Sequence, residues 1–265
     1  MIHALANVDP AAEVHPEASV AAFATVGADV RIGAGTVIHA NAVVMPGARI
    51  GRDCQIYPGA IIGAEPQDLK FVGEYSTIEI GDRTTVREYC TLNRGTAAAG
   101  TTRIGSDCLI MAYVHVAHDC IISDKVVIAN SVNLAGHVEI GYQATVGGMT
   151  GIVQFCKVGT QAMVAGGILV RKDVPPYATV ARMPPQFMGI NRIGLRRRNF
   201  TAEQMGAIEQ AYKHIYGSGL SRAEALEAIE TTSTHPEITD AIVEFVNSST
   251  RGIIRGQTAG VPVED

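Results

Sequence analysis

Residues 104–122, IGSDCLIMAYVHVAHDCII, carry an aliphatic side chain at every sixth position. The same step of six runs from Val14 to Val170 and lapses only at Asp68, Glu74 and Ala98. A period of six matches neither the 3.6 residues per turn of an α-helix nor the two-residue period of an ordinary strand. Three such hexapeptides make one coil with three flat sides, in which short parallel strands stack on those of the next coil. The sequence therefore predicts a mainly β solenoid with the aliphatic side chains inside a prism.

A second position, two residues before each aliphatic, also points into the prism and holds small or β-branched residues. All five cysteines occupy this position: Cys54, Cys90, Cys108, Cys120 and Cys156. The chain has no C-x-x-C pair, so the thiols are expected to pack as small buried hydrophobes, without a disulfide framework or a zinc cluster. Glycine often follows the aliphatic residue, as at Gly33 and Gly81, where a corner is predicted to need an unusual φ.

The composition argues against a membrane protein and against a nucleic-acid-binding protein. The 265 residues suffice for one large domain and a small one, and 47% of them are hydrophobic without a long apolar run. We therefore expect no stable membrane insertion, and because no signal-peptide pattern is present, the expected location is cytoplasmic. The formal net charge of −5 argues against nucleic acid as a general partner.

The lapses in the period predict loops that leave the prism, near residues 64–79 and 94–103. Loops on a rigid scaffold often carry specificity, so residues 67–70 (QDLK) are a candidate binding segment, with a solvated excursion as the alternative. The hexapeptides stop after residues 174–176 (VPP). The predicted division is a β-helix over residues 1–180, a small α-helical domain over 181–255 and a flexible tail over 256–265.

Three helices are predicted in the second part. Thr201 and Gln204 form the pattern of a capping box that opens a helix, and Gly217 is predicted to end it. Ser221 opens a second helix in the same way, and a third is expected to begin near Pro236.

His118 stands in the most polar stretch of the solenoid, residues 113–120 (YVHVAHDC). It lies two residues past the inward Val116 and is therefore predicted to face out, where Asp119 is placed to orient it. Because a coil has eighteen residues, Gly136 falls above His118 and Gln154 above Gly136. A histidine titrates near neutral pH and is a natural general base.

Two alternatives stand beside a catalytic His118. In the first alternative, the histidines of this region are surface residues that share no function. In the other, His115, His118 and His137 bind zinc across a subunit interface, as in trimeric β-helix carbonic anhydrases.

Seven stretches follow one another in order on this repeat: 67–70 (QDLK), 93–96 (NRGT), 115–119 (HVAHD), 134–138 (LAGHV), 147–150 (GGMT), 173–177 (DVPPY) and 194–198 (GLRRR). On these motifs the chain resembles the UDP-N-acetylglucosamine O-acyltransferases, which catalyse the first step of lipid A biosynthesis, over essentially residues 1–255. The hexapeptides resemble those of the left-handed parallel β-helix acyltransferases. The left hand rests on that resemblance, because ordinary parallel crossovers are right-handed.

The resemblance implies a homotrimer with active sites between neighbouring subunits. The donor would be an (R)-3-hydroxyacyl thioester of acyl carrier protein, and the acceptor the 3-hydroxyl of UDP-N-acetylglucosamine. His118 would be the general base, Asp119 would fix its imidazole, and the N–H of Gly136 would stabilise the oxyanion. No metal, cofactor or covalent enzyme intermediate is implied.

Further roles are carried over in the same way. Contacts with the sugar nucleotide or the acyl chain are implied for Asp68, His115, His137 and Gln154. Contacts near the nucleotide and its phosphates are implied for Asn191, Arg197 and Arg198, where a guanidinium suits an anion. Gly166 matches the position that sets acyl length, and its lack of a side chain favours a longer chain. Asn191 favours an N-acetylglucosamine over a diamino sugar. Contacts with the carrier protein are expected at Lys70, Arg171 and Lys172.

The chain departs from the family pattern at two places. Val153 stands where the family commonly has a histidine, and Pro184 or Pro185 stands where it has a second one. Neither position is that of the proposed base, so acyl transfer is expected to survive, and the departures bear on substrate contacts.

Three other functions are alternatives to acyl transfer to UDP-N-acetylglucosamine. A related N-acyltransferase is expected to carry an additional N-terminal uridine-binding domain, whereas the hexapeptides here start by Val14. A coenzyme-A-dependent acetyltransferase fits the long helical C-terminal region and the 67–70 segment less well. A non-catalytic β-solenoid that displays a binding face predicts regular polar ladders and no lone His–Asp pair.

Overall fold

The chain winds as a left-handed parallel β-helix and ends in a small helical region. The computed structural model describes residues 1–256. The first coils contain β1 (Asn7–Val8), β2 (Glu13–Val14), β3 (Ser19–Val20), β4 (Thr25–Val26), β5 (Arg31–Ile32), β6 (Val37–Ile38), β7 (Val43–Val44), β8 (Ala48–Ile50), β9 (Gln55–Ile56) and β10 (Ile61–Ala64). The middle coils contain β11 (Thr77–Ile80), β12 (Thr85–Val86), β13 (Thr91–Asn93), β14 (Thr101–Ile104), β15 (Leu109–Ile110), β16 (His115–Val116), β17 (Ile121–Ile122) and β18 (Val127–Ile128).

The last coils contain β19 (Asn133–Leu134), β20 (Glu139–Ile140), β21 (Thr145–Val146), β22 (Gly151–Ile152), β23 (Lys157–Val158), β24 (Met163–Val164), β25 (Leu169–Val170), β26 (Ala178–Ala181) and β27 (Gln186–Ile190). The helices are α1 (Arg192–Arg197), α2 (Ala202–Gly217), α3 (Arg222–Thr232) and α4 (Pro236–Ser248). Among residues 1–256, no helix has the length and apolar character needed to cross a membrane.

Successive strands join three different sheets in turn. Sheet A has ten strands in the order β27-β26-β24-β21-β18-β15-β12-β9-β6-β3, sheet B has nine from β1 to β25, and sheet C has eight from β2 to β23. The register confirms the eighteen-residue coil, since Val116 pairs with Leu134 and Leu134 with Ile152. From Val20 to Val170 the repeating aliphatics are buried in the prism. Each contributes about 1.5–3 kcal/mol of burial free energy.

The tight interior position is confirmed for all five cysteines, which are buried and free. Their thiols also bond corner carbonyls of the next coil, as in the contacts of Cys54 Sγ with the Gly81 oxygen (3.1 Å) and Cys120 Sγ with the Ala135 oxygen (3.2 Å). Thr84 fills the same position and donates to the Gly105 oxygen at 2.7 Å. Burial raises the pKa of Cys120 to about 12. These thiols are structural.

The expectation of an unusual φ at the corner glycines was wrong, apart from Gly63 at +82°. The positive φ falls instead on the third residue after the aliphatic, for example Asp29, at +52°. Gly33 is needed for space, because a Cβ there would come 2.5 Å from the Gly51 oxygen of the next coil. Gly81 is similar, with a Cβ 2.6 Å from the Ser106 nitrogen. Glycine here permits close coil stacking.

Two connections between strands lie within the regions predicted as loops, near residues 64–79 and 94–103. Residues 65–76 connect β10 to β11, and residues 94–100 connect β13 to β14. In both cases the chain leaves a strand of sheet B and returns in sheet C. Both loops therefore leave the same corner, between sheets B and C, which we call the B–C corner.

The outward side chains differ between the three sheets. Sheet C presents charged residues, including the ion pairs Arg31–Glu13, Arg103–Glu79 and Lys157–Glu139, with Ile121 as an uncharged exception. Sheet A presents Ser19, Val37, Gln55, Thr85, Leu109, Val127, Thr145, Met163 and Thr179. Sheet B presents Asn7, Thr25, Val43, Ile61, Thr91, His115, Asn133, Gly151 and Leu169. Two faces of the prism thus carry no Asp, Glu, Lys or Arg along their described strands.

The three predicted helices are confirmed as α2, α3 and α4, with both capping boxes formed. The sequence did not predict α1, nor the strands that follow the last hexapeptide. β26 extends sheet A in parallel, and β27 then pairs with it in antiparallel fashion. Residues 186–190, placed in the helical domain, are therefore strand. The domain boundary itself stays an interpretation, and residues 257–265 of the predicted tail lie outside the described part of the chain.

Candidate active site

His118 lies at the B–C corner between β16 and β17, outside the prism as predicted. Its side chain is nevertheless only 8% exposed. Asp68 of the 65–76 loop approaches it, with Oδ2 4.0 Å from Nε2. Gly136 of the next coil lies against the ring. The imidazole therefore stands in a narrow recess between a loop and the next coil.

Asp119 holds the inner edge of the His118 ring. Its Oδ2 lies 2.9 Å from Nδ1 of His118, and its side chain is fully buried. With a proton on Nδ1 donated to this carboxylate, Nε2 of His118 keeps its lone pair and faces Asp68. The arrangement suits a base that accepts a proton at Nε2.

The Asp119 carboxylate is held by groups that the sequence reasoning gave no role. Thr96 donates twice, from its N–H to Oδ1 at 2.9 Å and from Oγ1 to Oδ2 at 2.6 Å. The N–H of Asp119 donates to Oγ1 of Thr102 at 2.8 Å. Burial raises the pKa of Asp119, but the Thr96 and His118 hydrogen bonds and the nearby His137 outweigh it, so the pKa is lowered. The carboxylate is ionised near neutral pH.

Two sequence signals pointed toward these threonines. Thr96 belongs to the NRGT stretch in the second loop, which leaves the prism at the same corner as His118. Thr102 occupies the tight interior position two residues before Ile104. The hexapeptide count locates Thr102, but it cannot show where a loop residue such as Thr96 points.

Gly136 stands directly above His118, as the eighteen-residue count predicted. A Cβ at Gly136 would lie 2.5 Å from Cε1 and 2.6 Å from Nε2 of His118. Within residues 1–256, the N–H of Gly136 has no hydrogen-bond acceptor. A backbone N–H without a partner, on the residue that contacts the predicted base, is the kind of donor that stabilises an oxyanion.

His137 completes the recess from the same corner. Its Nε2 lies 3.5 Å from Oδ2 of Asp119, and its ring meets that of His118 edge-on at 5.2 Å. Phe155, one coil further along, stacks on His137 with centroids 4.6 Å apart. The sequence reasoning missed Phe155, although it stands eighteen residues after His137 and half of it is exposed.

His115 lies on the outward face of sheet B and bonds Thr91, with Nδ1 and Oγ1 2.8 Å apart. Burial, followed by the charge of His118, lowers the pKa of His115 against the opposing effect of Thr91. In the described chain, the one group with metal-ligand spacing is His118, Asp119 and His137, whose ligand atoms lie within 4.8 Å of one another. His115 is not part of it, so the three-histidine zinc set does not form within one chain.

Gln154 lies exposed at the B–C corner in the coil after Gly136, and Val153 beside it is half-buried against the core. The column of His118, Gly136 and Gln154 is therefore present. The substrate contacts predicted for Asp68, His115, His137 and Gln154 stay predictions, as do the carrier-protein contacts of Lys70, Arg171 and Lys172.

A second set of predicted residues lies elsewhere on the prism. Asn191, Arg197 and Arg198 line a cavity of about 680 Å³ on the outward face of sheet A, beside Thr145, Met163 and Thr179. Each face of a three-sided prism lies opposite one corner, and sheet A lies opposite the B–C corner. A single chain therefore does not bring this cavity to His118.

Asn191 and Arg198 differ in how many of their side-chain polar atoms already form hydrogen bonds within residues 1–256. Asn191 caps α1 by accepting from the Gly194 N–H at 3.1 Å, and it donates to the Gln161 oxygen at 2.9 Å. Arg198 donates from Nη2 to the Gln143 oxygen at 2.7 Å, while Nη1 is buried without a partner in residues 1–256. Burial lowers the pKa of Arg198. Its guanidinium has donor capacity left for an anion.

Gly166, the predicted determinant of acyl length, lies at a third place, the corner between sheets A and B. It is exposed, and a Cβ there would come 2.8 Å from the Gly148 oxygen. The predicted site residues thus form three separate groups on one chain.

The repeats match the bacterial transferase hexapeptide family at residues 29–64 and 101–136. The profile of UDP-N-acetylglucosamine O-acyltransferase domain 2 matches residues 173–254. An acyl-[acyl-carrier-protein]–UDP-N-acetylglucosamine O-acyltransferase of Herminiimonas arsenicoxydans is 43% identical over 261 residues, which cover 96% of this chain and 99% of that protein. The chain belongs to the UDP-N-acetylglucosamine O-acyltransferase family.

Solved structures of the family share the whole architecture. The UDP-N-acetylglucosamine acyltransferase of Bacteroides fragilis is 44% identical with a TM-score of 0.95, over 96% of this chain and 100% of that one. The Acinetobacter baumannii structure is 38% identical with a TM-score of 0.93, over 96% and 99%. These likenesses confirm the predicted family fold, a left-handed β-helix of hexapeptides with helices in the C-terminal part.

Proposed function

We propose that the protein transfers an (R)-3-hydroxyacyl chain from acyl carrier protein to the 3-hydroxyl of UDP-N-acetylglucosamine, the first step of lipid A biosynthesis. The family relatives are named for acyl transfer between these two classes of molecule. The observation that carries the proposal for this chain is the B–C corner, where the His118 imidazole lies against Gly136, whose N–H has no acceptor within residues 1–256.

The residues support a direct transfer. Nε2 of His118 takes the proton of the sugar 3-hydroxyl while that oxygen attacks the thioester carbonyl carbon. Negative charge gathers on the carbonyl oxygen, and the N–H of Gly136 donates to it, a role that commonly contributes about 2.7–4 kcal/mol. When the intermediate collapses, the C–S bond breaks, and the leaving sulfur takes the proton from His118. Asp119 stabilises the imidazolium in between.

We propose further that the reaction needs no metal or cofactor. Asp119 already contacts His118 at 2.9 Å and His137 at 3.5 Å, and both of its oxygens also accept from Thr96. A metal ion would have to replace these contacts. Activity that survives exhaustive dialysis against a chelator supports the proposal, and recovery that depends on added zinc overturns it.

The outward faces support a homotrimer. Sheets A and B carry no Asp, Glu, Lys or Arg along their described strands, while sheet C carries rows of both signs. Depletion of charge marks the core of subunit interfaces. If sheet A of one copy packs on sheet B of the next around a three-fold axis, the cavity at Asn191 and Arg198 comes beside the neighbour's B–C corner. The site would then combine His118 of one subunit with Arg198 of another.

Subunit mixing tests this shared site. His118→Ala and Arg198→Ala variants, each strongly impaired alone, are co-expressed with different tags, and hybrids are isolated. In each hybrid trimer one of the three sites regains both wild-type residues, so about a third of wild-type activity returns. Hybrids no more active than the parent variants would show that the site is not shared.

Within such a site, Arg197 and Arg198 are suited to the nucleotide diphosphate, since both face the cavity on sheet A. Asp68, His115, His137 and Gln154 would contact the sugar or the acyl chain from the B–C corner. Gly166 leaves its corner open for a long acyl chain, and a donor panel that shows preference for short chains would contradict this. Asn191 is proposed to favour N-acetylglucosamine, and faster acylation of a 3-amino sugar nucleotide would contradict that.

The reaction itself is tested by mass spectrometry. Purified protein is incubated with hydroxyacyl carrier proteins of several lengths and UDP-N-acetylglucosamine, with hydroxyacyl coenzyme A as the matched donor control. The expected product is a 3-O-acyl sugar nucleotide, formed fastest from a carrier-protein donor. Preference for coenzyme A, or acylation at nitrogen, would favour the related acyltransferases instead.

The five free cysteines fit the cytoplasmic location proposed here, because disulfides are rare in reducing compartments.

A further inference from the structure

Thr96 links the loop of residues 94–100 to the pair of His118 and Asp119. We propose that Thr96 is a positioning residue, whose two hydrogen bonds fix the Asp119 carboxylate and through it the His118 imidazole. The inference deepens the proposed function, because it concerns the same base.

Thr96 bonds both oxygens of the Asp119 carboxylate. Oδ1 of Asp119 accepts from the Thr96 N–H at 2.9 Å, and in the described chain no other donor bonds this oxygen. Oδ2 accepts from Oγ1 of Thr96 at 2.6 Å, and the same oxygen receives Nδ1 of His118. Both threonine bonds lie in a buried environment, where hydrogen bonds to a charged group contribute more than neutral ones.

The loop that presents Thr96 is itself fixed. Oγ1 of Thr96 accepts from the Ala98 N–H at 3.2 Å, which closes a turn around the hydroxyl. Glu74, on the other loop, accepts from the Ala97 N–H at 3.0 Å and from the Val72 N–H at 3.0 Å. Because the loop of Glu74 also carries Asp68, one carboxylate side chain connects the loop beside Nε2 to the loop behind Asp119.

The charges around Asp119 fall on three elements. His118 and His137 approach it from the corners of two successive coils, at 2.9 and 3.5 Å. Glu74, on the 65–76 loop, is a like charge that repels Asp119, and Asp68 on the same loop lies 4.0 Å from His118. Thr96 is the neutral donor that lets a buried carboxylate remain ionised beside them.

Thr96→Val removes the hydroxyl with little change of shape. Oδ2 then keeps its contacts with His118 and His137 but loses its shortest hydrogen bond, and the carboxylate gains freedom to rotate. We expect kcat to fall about 10- to 100-fold, the size of effect that small misplacements of a catalytic group produce. KM for UDP-N-acetylglucosamine stays nearly constant, because Thr96 bonds the carboxylate and not the open side of the imidazole.

The decisive measurement is the titration of Asp119 by carbon NMR of its carboxyl group. In Thr96→Val the pKa of Asp119 rises, and in Thr96→Ser it returns toward the wild-type value together with kcat. Thr36→Val is the matched control, because the Thr36 hydroxyl is also buried, donates once to the Gly51 oxygen and accepts once from the Cys54 N–H. That variant is expected to change neither kcat nor the Asp119 titration.

An unchanged Asp119 titration in Thr96→Val overturns the inference, and so does an equal loss of kcat in Thr36→Val. The NMR measurement needs no substrate. A wild-type protein that fails to transfer acyl chains would therefore contradict the proposed function while the titration still decides the role of Thr96.

Discussion

Gly136 lies against the imidazole of His118, and a methyl group on its Cα would come within 2.5 Å of the ring. The two residues belong to successive coils of one corner. Within residues 1–256 the N–H of Gly136 has no acceptor, and it belongs to the residue that contacts the proposed base. The absence of a side chain at position 136 is therefore a requirement of the site and not of the corner, because the corner residue one coil earlier in the same position is His118 itself.

Gly136→Ala is expected to reduce acyl transfer at least about 100-fold, because the added methyl displaces the imidazole and covers the oxyanion donor. The measurement is the initial rate with a saturating hydroxyacyl carrier protein. Gly206→Ala is the control, since a Cβ at that helical position meets nothing within 4 Å. Equal rates in Gly136→Ala and wild type would show that the contact has no part in the reaction.

The pH dependence of stability follows from Asp119. Its pKa is lowered in the folded protein, so the ionised carboxylate stabilises the fold above the unfolded-state pKa of about 3.9. This stabilisation is lost as the pH falls through the lower folded-state pKa. The difference in unfolding free energy between wild type and Asp119→Asn should be constant near neutral pH and shrink below about pH 4.

Chemical denaturation between pH 3 and pH 7 measures this difference. A gap that stays constant to the lowest pH would mean that Asp119 is not held ionised. Asp107, exposed and paired with Arg83, provides the control site, where Asp107→Asn is expected to have a small effect because surface ion pairs contribute little.

The uncharged faces predict which surface holds subunits together. Leu109→Glu puts a charge on sheet A and is expected to dissociate the proposed trimer and abolish transfer, because the site proposed to be shared between subunits comes apart. Ile121→Glu makes a comparable change on sheet C, where the side chain is 45% exposed among charged neighbours. Light scattering coupled to size exclusion measures both. A trimeric Leu109→Glu, or a monomeric Ile121→Glu, would assign the interface to another face.

The sequence determined the position of His118 well, because a strict period of six is a count that the fold must obey. The count placed Val116 inside, His118 outside and Gly136 above it. The prediction of an unusual φ at Gly33 and Gly81 was wrong, because glycine is favoured both by a positive φ and by close contact between coils, and here the close contact is the reason. In this fold the positive φ falls two residues later.

Other features of the structure could not be predicted from the six-residue period, for physical reasons. Thr96 stands in a loop, whose path depends on contacts distant in sequence, such as that of Glu74 with Ala97. The strand at 186–190 follows a reversal of direction that no hexapeptide marks. The separation of Arg198 from His118 could not be predicted from the period, because Arg198 lies after the last hexapeptide. It became visible only when the strands were assigned to sheets.

The central claim is that His118 removes the proton from the sugar hydroxyl, and His118→Ala tests it most directly. The rate of acyl transfer from hydroxyacyl carrier protein to UDP-N-acetylglucosamine is measured for this variant and for wild type, with circular dichroism and light scattering to show that both fold and assemble alike. We predict a loss of about 100- to 10,000-fold, the usual contribution of a general base, with partial recovery on addition of imidazole. Wild-type activity in a folded His118→Ala would contradict the account.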